Sequence, residues 1–239
     1  MAPAPSFRGH QWTYNPVRGS CLLLLLVVMS NLLLCQGKSC PSCSPYLLAT
    51  SMSSLTDLFI EVAWLSHDFH NLSTIVFKEF NETYAQGKLY HINATNSCHT
   101  NVFDFPEERD KAHQLNNENI TKWTLVLLYC WNNPLYHLVK ELDTTKELPE
   151  TFLSSLTEIE NMSERLQAFI ESHFRKIIVP VLKIIRNAPS VWSEHQYMKS
   201  RDEDRRHSEM YNLFHCLHRD SRKVDMYFKI LACRARKTC

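Results

Sequence analysis

The stretch LYHLVKELDTTKELPETFLSSLTEI, residues 135–159, joins two helical patterns through a connection of about seven residues. Apolar residues recur every three or four positions on both sides of this connection, as they do on the buried face of an α-helix. Each helix has about 27 residues and is therefore ~40 Å long at a rise of 1.5 Å per residue. Seven extended residues span at most ~25 Å. The two helices must be antiparallel neighbours.

The same periodicity predicts four amphipathic helices in the chain. Their approximate bounds are 51–86, 117–142, 150–178 and 202–232. Gly87 follows the first helix and suits the left-handed position just beyond a helix end. Pro134 lies inside the second helix and is expected to kink it, because proline removes one backbone donor and crowds the preceding turn.

The lengths of the other two links predict the topology. About 29 residues separate the first two helices, and about 23 separate the last two. Links of this length can run back along a helix and join parallel neighbours, whereas a plain up-and-down bundle does not need them. The order long, short, long predicts an all-α fold: an up-up-down-down four-helix bundle of the cytokine type with two long crossover loops.

The N-terminal segment is typical of a secretory signal peptide. Residues 21–35 read CLLLLLVVMSNLLLC and follow Arg8 and Arg18. The apolar run is shorter than the ~20 residues that cross a bilayer, and a small residue, Gly37, stands at its exit. We predict that residues 1–37 are removed and that residues 38–239 form one secreted, extracellular domain that does not insert into a membrane. An uncleaved anchor is the alternative.

Composition argues against several classes of function. Loss of residues 1–37 takes two of the 26 basic residues and none of the 25 acidic ones, which leaves a net charge of −1. Nucleic-acid binding requires a strongly basic surface, so no nucleic-acid partner is expected. Gly87 is the single glycine after residue 37, which excludes glycine-rich phosphate loops and G-x-S-x-G elbows. We predict that the protein is not an enzyme and has no cofactor.

Cysteines and glycosylation sequons both point to the secretory pathway. In an oxidising compartment most of the seven cysteines after residue 37 should pair, and the odd number leaves at least one free or bonded to another molecule. Five N-x-S/T sites predict a glycoprotein in which each used asparagine faces solvent. The cysteines are Cys40, Cys43, Cys98, Cys130, Cys216, Cys233 and Cys239, and the asparagines are Asn71, Asn81, Asn93, Asn119 and Asn161.

Two long segments carry a resemblance to a known family. CHTNVFDFP at 98–106, followed by YCW at 129–131, and CLHRDSRKVDMYFKILAC at 216–233 resemble the two signatures of the prolactin and growth hormone family. LSHDFHNLS at 65–73, FNETYAQGK at 80–88 and NNPLYHLVKEL at 132–142 resemble prolactin segments. The presence of cysteines near the mature N-terminus resembles the pattern of the prolactin branch of this family. Their compressed C-P-S-C spacing, the extra sequons and Cys130 resemble its placental, prolactin-related members.

The resemblance implies a hormone that binds a prolactin-type class I cytokine receptor and signals by dimerising it. It also implies the disulfides Cys98–Cys216 and Cys233–Cys239, and a third between Cys40 and Cys43 unless one of these pairs elsewhere. The first bond encloses more than a hundred residues, and chain-entropy models assign such a closure ~4–5 kcal/mol.

The resemblance allows the receptor-contact positions of the family to be assigned to residues of this chain. The resemblance implies a first site on the first and fourth helices and the first crossover. Its residues are Ala63, His67, His70, Pro106, Arg109, Tyr211, His215, His218, Arg219, Arg222, Lys223 and Tyr227. A second site uses a cleft on the third helix, where Ala168 stands in place of glycine and its methyl group narrows the cleft. His218 and Arg222 differ from the usual prolactin residues.

The histidines leave alternatives open. His67 and His70 share one helix face, and by resemblance to growth hormones Asp225 completes a zinc site with them at the receptor interface. Prolactins bind their receptors without zinc, and histidines at this spacing are common on solvated helices. The same histidines would also make binding sensitive to pH between about 6 and 7.

Other functions remain as alternatives. A prolactin-related protein can act as an antagonist that does not activate the prolactin receptor, or can bind heparan sulfate or a carrier through the basic run from Arg219 to Lys237. Cys130 is either a part-buried free thiol or a site for an intermolecular disulfide. Cys40 and Cys43 would serve a thiol oxidoreductase only if the first thiolate began a helix after a strand, and no such pattern surrounds them.

Overall fold

The computed structural model describes residues 45–91, 98–188 and 200–239, with side chains described from Leu55 onward. The predicted signal peptide at 1–37, together with Cys40, Cys43 and Asn93, lies outside these ranges. Contacts divide the chain into units at Met1–Ser51 and Met52–Cys239, and the second unit contains all the packing described below. Among the described residues, no helix has the length and hydropathy needed to cross a membrane.

Four long helices confirm the predicted bundle elements. The α-helices in chain order are α1 (Pro45–Tyr84), α2 (Arg109–Gln114), α3 (Asn117–Thr145), α4 (Glu150–His173), α5 (Ile178–Asn187) and α6 (Glu203–Arg236). Single 3₁₀ turns occur at His99–Val102 and Arg175–Ile177. The long helices α1, α3, α4 and α6 therefore correspond to the four predicted from periodicity.

Local residues determine where these helices begin and end. The Asn116 side chain accepts a hydrogen bond from the Asn119 backbone N–H at the start of α3, and Asp202 accepts one from Asp204 at the start of α6. Lys146 and Lys237 end α3 and α6 in the left-handed conformation, with φ of 52° and 56°. Gly87, with φ of 73°, is left-handed as predicted, but it lies in the turn after α1, where the Lys88 N–H donates to the Ala85 carbonyl, and not directly at the helix end.

Contacts between α3 and α4 confirm that these helices are antiparallel. The Tyr129 hydroxyl donates to Glu171 at 2.6 Å, and the Asn132 amide donates to Gln167 at 2.8 Å. Residue numbers therefore rise along α3 as they fall along α4. The turn between the two helices, from Lys146 to Pro149, is too short for any other arrangement.

The remaining pairings complete the predicted topology. On α1 and α6, Phe77 contacts Tyr211 and Tyr84 contacts His207, so these helices are antiparallel. On α4 and α6, by contrast, Phe152 packs against Phe214 and Phe169 against Phe228, so these helices are parallel. The arrangement is up-up-down-down, with both crossovers joining parallel helices.

Aromatic side chains fill the centre of the bundle. Phe80 of α1 lies 4.9 Å from Phe214 of α6 and 6.2 Å from Phe152 of α4, measured between ring centroids. Leu127 of α3 and Leu156 of α4 are also fully buried. Each such side chain contributes roughly 1.5–3 kcal/mol by leaving water. The core therefore draws on all four long helices.

The third helix is shorter than predicted. It ends at His173 rather than near 178, because Phe174 leaves the helical conformation, with φ of −126° and ψ of 45°. The Phe174 ring instead packs against Phe59 of α1 at 5.9 Å. The chain then forms α5 in the segment that was predicted as a link. Pro180 is tolerated there because the first turn of a helix has no intrahelical partner for its N–H groups.

Helix α3 continues through Pro134, and a side chain compensates for the missing donor. Proline has no N–H to offer the Cys130 carbonyl one turn earlier. His99 Nε2, from the first crossover, lies 3.2 Å from that carbonyl oxygen and must donate to it. Burial lowers the pKa of His99 and keeps its ring neutral. The predicted kink at Pro134 stays a prediction.

A buried carboxylate attaches the first crossover to the bundle. Asp220 of α6 has no solvent exposure and accepts hydrogen bonds from the Thr100 hydroxyl at 2.6 Å and the Trp131 indole at 3.2 Å. Arg219 Nε and Lys223 Nζ lie 3.0 and 3.5 Å from its other oxygen. The Cys98–Cys216 disulfide links the same two segments. Asp220 therefore joins the crossover, α3 and α6.

Replacing Asp220 with alanine should destabilise the protein by about 3–5 kcal/mol, because it leaves buried cations and donors without their acceptor. Urea unfolding with the disulfides intact measures this change. Asp143→Ala is the matched control: Asp143 pairs with Lys146 on the surface, where such a loss costs about 0.5 kcal/mol or less. Equal unfolding midpoints for the two variants would contradict the role given to Asp220.

Candidate functional site

Helices α1 and α6 together present a surface rich in histidine. We call this surface the α1–α6 face and define it by Ala63, His67, His70, His215, His218 and Arg222. His67 and His70 lie one turn apart on α1, and His215 and His218 lie in the same relation on α6. All four imidazoles are partly exposed. The structure thus brings together the histidines that the sequence suggested as partner contacts.

The rings of this face stack on one another. His218 packs parallel to His70 at 5.5 Å and to Phe77 at 5.4 Å, and His215 meets the edge of Phe77 at 5.7 Å. His70 Nδ1 also lies 3.0 Å from the Ser221 hydroxyl. These contacts place the rings in fixed positions, so a partner would meet a preformed aromatic surface.

Burial affects the charge of three histidines on this face. It lowers the pKa of His70, His215 and His218. The neighbouring His218 further lowers the pKa of His70, and His215 and Arg222 further lower that of His218. The neutral forms are therefore favoured at neutral pH, and a protonated ring would meet positive neighbours.

The structure does not support the zinc alternative. Lys229 Nζ donates to Asp225 at 2.7 Å and lies 3.1 Å from His67 Nδ1, so an ammonium group occupies the space between these two ligands. His70 is directed instead towards Ser221. In the described part of the chain the one grouping with metal-ligand spacing is Cys98, His215 and Cys216, and its two sulfurs are in a disulfide.

The first crossover borders the α1–α6 face. Lys223 of α6 forms an ion pair with Glu107 at 2.9 Å, which lowers the pKa of that carboxyl group. The Pro106 carbonyl accepts a hydrogen bond from the Tyr227 hydroxyl at 2.7 Å. Arg109 is exposed at the start of α2. The crossover is thus held against α6, with Arg109 open to solvent.

Three residues predicted to contact a receptor are buried. Tyr227 has 0% exposure and belongs to the core, so its assignment as a contact residue is corrected. Burial also raises the pKa of its hydroxyl. Tyr211 and Lys223 are 6% and 5% exposed. These side chains support the surface from beneath because their polar or aromatic groups are used within the bundle.

Arg219 also has a largely internal role. Its guanidinium group donates to Thr100, Asn101 and the buried Asp220. It therefore fixes the crossover on α6. Arg222 and Lys78 are exposed cations beside His218, and both lower the pKa of its ring.

A second surface lies between α1 and α4. We call it the α1–α4 cleft, an opening of about 890 Å³. Its lining residues are Leu58, Glu61, Val62, Trp64, Leu65, Asp68, Leu72, Glu158, Met162, Arg165, Ala168, Phe169 and Ser172. Ala168 is exposed in it, as expected for the small residue of a second receptor site. The cleft and the α1–α6 face share helix α1.

Trp64 is a surface residue that the sequence reasoning missed. Its side chain is 66% exposed and lines both the α1–α4 cleft and a smaller opening beside Lys229 and Arg236. A tryptophan outside the apolar stripe of α1 was the signal that could have identified it. Exposed aromatic residues of this kind are common centres of protein interfaces.

The sequons in the described ranges reach the surface to different degrees. Asn71, Asn81 and Asn161 are exposed, and Asn119 is half-buried in the first turn of α3. Asn71 follows His67 by four residues and Asp68 by three, so it lies on the outer side of α1 between the two surfaces. These positions allow a carbohydrate at each exposed site.

Cys130 is a free, buried thiol. Burial raises its pKa to about 12. A thiolate is the species that exchanges disulfides, so this side chain is a poor candidate for an intermolecular bond. The disulfides Cys98–Cys216 and Cys233–Cys239, which the resemblance implied, are present in the structure.

Comparison with known proteins gives consistent matches. A family model described as the somatotropin hormone family matches residues 27–239. The chain is 72% identical over 239 residues to chorionic somatomammotropin hormone 2 of Bos taurus, covering 100% of both chains. It is 68% identical over 207 residues to placental prolactin-related protein 2 of Bos taurus, covering 87% of this chain and 78% of that relative.

Stability should fall on acidification because of His70, His215 and His218 on the α1–α6 face. The lowered pKa values mean that the unfolded chain, whose histidines titrate near 6.5, binds more protons than the folded one. The stabilising contribution is therefore complete above pH 6.5 and is lost as the pH falls through the folded-state values. His218→Gln cannot titrate and should reduce the loss.

Urea unfolding midpoints at pH 7.5 and 5.5 test this expectation. The matched control is His173→Gln, which changes an exposed histidine of α4 away from the face. A pH dependence in His218→Gln that equals that of both the wild type and the control would show that the stacked rings do not contribute.

Proposed function

The chain belongs to the somatotropin hormone family, and from this premise we propose that it is a secreted glycoprotein hormone that binds a prolactin-type class I cytokine receptor and signals by dimerising it. The hormones of this family bind class I cytokine receptors and are not enzymes. Our proposal assigns the first receptor molecule to the α1–α6 face and the second to the α1–α4 cleft.

The observation that carries the proposal is the preformed ring surface on α1 and α6. His70, His218 and Phe77 are stacked and partly exposed, and the exposed cation Arg222 lies beside His218. Aromatic rings and arginines dominate the energetics of protein interfaces. A surface held in place before binding also loses less conformational entropy when a partner docks.

Two separate surfaces on α1 suit receptor dimerisation. The face towards α6 and the cleft towards α4 lie on opposite flanks of one helix, with Trp64 on the boundary between them, so two receptor molecules can approach from different sides. Bringing two receptor chains together outside the cell would couple binding to kinase activation inside it.

One relative is named as a chorionic hormone and the other as a placental protein, and we extend a placental setting to this chain. The alternative function is an antagonist that binds the prolactin receptor without activating it. Two features favour it: His218 and Arg222 differ from usual prolactin residues, and the methyl group of Ala168 narrows the cleft. The number of receptors bound decides between the two functions.

Heparan-sulfate binding through the C-terminal basic run receives less support. Most of its cations are used within the protein: Arg219 and Lys223 with Asp220, Lys229 with Asp225, and Arg234 with the backbone carbonyls of His113 and Leu115. Engaged cations contribute less to an anionic partner, because they would have to exchange existing contacts for new ones.

Charge reversal at Arg109 and Arg222 should weaken the first receptor contact. The double variant Arg109→Glu/Arg222→Glu is expected to lower the affinity for the prolactin-receptor ectodomain at least tenfold, about 1.4 kcal/mol. Surface plasmon resonance measures this affinity. Lys140→Glu, which changes an exposed cation of α3, is the control and should bind as the wild type does. No binding by the wild-type chain would refute the proposed receptor.

Filling the α1–α4 cleft should remove the second contact alone. Ala168→Trp places a large side chain where the exposed alanine lines the cleft. In chains produced without carbohydrate, we expect the affinity of the first receptor to be unchanged and receptor-dependent signalling in cells to be lost. A variant that signals like the wild type would show that the cleft is not the second site.

A further inference from the structure

One sequon stands on the rim of the α1–α4 cleft. Asn161 is exposed on α4, three residues after Glu158 and four before Arg165, and both of these residues line the cleft. Residues at these spacings lie on one face of a helix. Ala168, one further turn along the same stripe, also lines the cleft. Asn161 therefore projects beside the opening rather than away from it.

The cleft has the character of a docking surface. Leu58, Leu65 and Leu72 line its α1 wall, and Trp64 on that wall is 66% exposed. Ile75, about one turn after Leu72 on α1, is 55% exposed. Apolar groups left in water on one side of a helix usually mark a contact surface. A bulky carbohydrate at its rim would compete with any protein that docks there.

We propose that carbohydrate on Asn161 covers the α1–α4 cleft and so sets the number of receptors that the hormone binds. This inference rests on the proposed function, because it takes the second receptor as the occupant of the cleft. With Asn161 glycosylated the hormone binds one receptor through the α1–α6 face and acts as an antagonist. Without that carbohydrate the cleft is open and the hormone dimerises the receptor.

The Ser163 side chain provides a clean way to remove the sequon. Its hydroxyl is required by the N-M-S acceptor at 161–163, yet in the folded protein it is buried and has no hydrogen-bond partner. Ser163→Ala therefore removes the glycan without breaking a hydrogen bond, whereas Asn161→Gln removes it by changing the acceptor itself. Agreement between the two variants separates loss of carbohydrate from any local effect of one substitution.

The test uses the full chain secreted from mammalian cells. Glycopeptide mass spectrometry reports occupancy at Asn161, and light scattering of complexes with excess prolactin-receptor ectodomain reports how many receptors bind. We expect one receptor on the wild type and two on both Ser163→Ala and Asn161→Gln. The control Asn119→Gln, which removes the sequon at the start of α3, should still bind one. No carbohydrate on Asn161, or the same number of receptors on all forms, would overturn the proposal.

A second readout does not depend on the receptor. Oxidation of Trp64 by hydroxyl radicals should be several-fold faster in Ser163→Ala and Asn161→Gln than in the wild type, because the carbohydrate no longer shields the cleft. If no form binds the receptor, the proposed function fails. The oxidation rate of Trp64 then still decides whether the glycan covers the cleft. Equal oxidation rates of Trp64 in all forms would show that the glycan on Asn161 does not cover the cleft.

Discussion

The buried carboxylate of Asp220 is the contact on which the arrangement of this bundle depends. The first crossover joins two parallel helices and therefore runs back along their length. It needs a point of attachment to the bundle that competition from water does not disrupt. Asp220 provides one by accepting hydrogen bonds from Thr100 of the crossover and Trp131 of α3 while Arg219 and Lys223 balance its charge. The Cys98–Cys216 bond and the His99 contact with the Cys130 carbonyl hold the same region. Burying a carboxylate costs free energy unless hydrogen bonds and opposite charges replace the lost water. The groups that compensate Asp220 come from three segments, the first crossover, α3 and α6.

This attachment also shapes the surfaces that a partner would meet. Because Arg219, Lys223 and Tyr227 are directed inwards to hold the crossover, the outer part of α6 is left with His215, His218 and Arg222. Helix α1 completes that face with His67 and His70, and its other flank forms the cleft against α4. A single helix therefore contributes to both proposed receptor contacts. Changes that move α1 should affect both, whereas a change on α4, such as a glycan on Asn161, acts on one.

Much of the architecture could be predicted because it follows from distances along the chain. The short turn between α3 and α4 allows only an antiparallel arrangement of these two helices. The lengths of the other two links allow each of them to join parallel helices. The end of α4 could not be predicted, since Phe174 leaves the helix to pack against Phe59, more than a hundred residues away in the chain. Tyr227 lies in the core with 0% exposure, so the contact role that the resemblance implied for it did not fit. Trp64 could not be predicted from the buried stripe or from the family pattern, because it lies on the exposed side of α1.

The amino-acid sequence alone determined the helices, their order, the direction of the turn between α3 and α4, and the family signatures, because each depends on local periodicity or on chain length. Only the tertiary structure decided which polar groups are consumed inside the protein. It placed Lys229 between His67 and Asp225, where a zinc ion had been the alternative, and directed the Tyr227 hydroxyl to Pro106. It also placed Asn161 at the edge of a cleft whose other wall is about a hundred residues distant in the chain. Such relations depend on the packing of whole helices, which sets the distance between side chains that no local pattern connects.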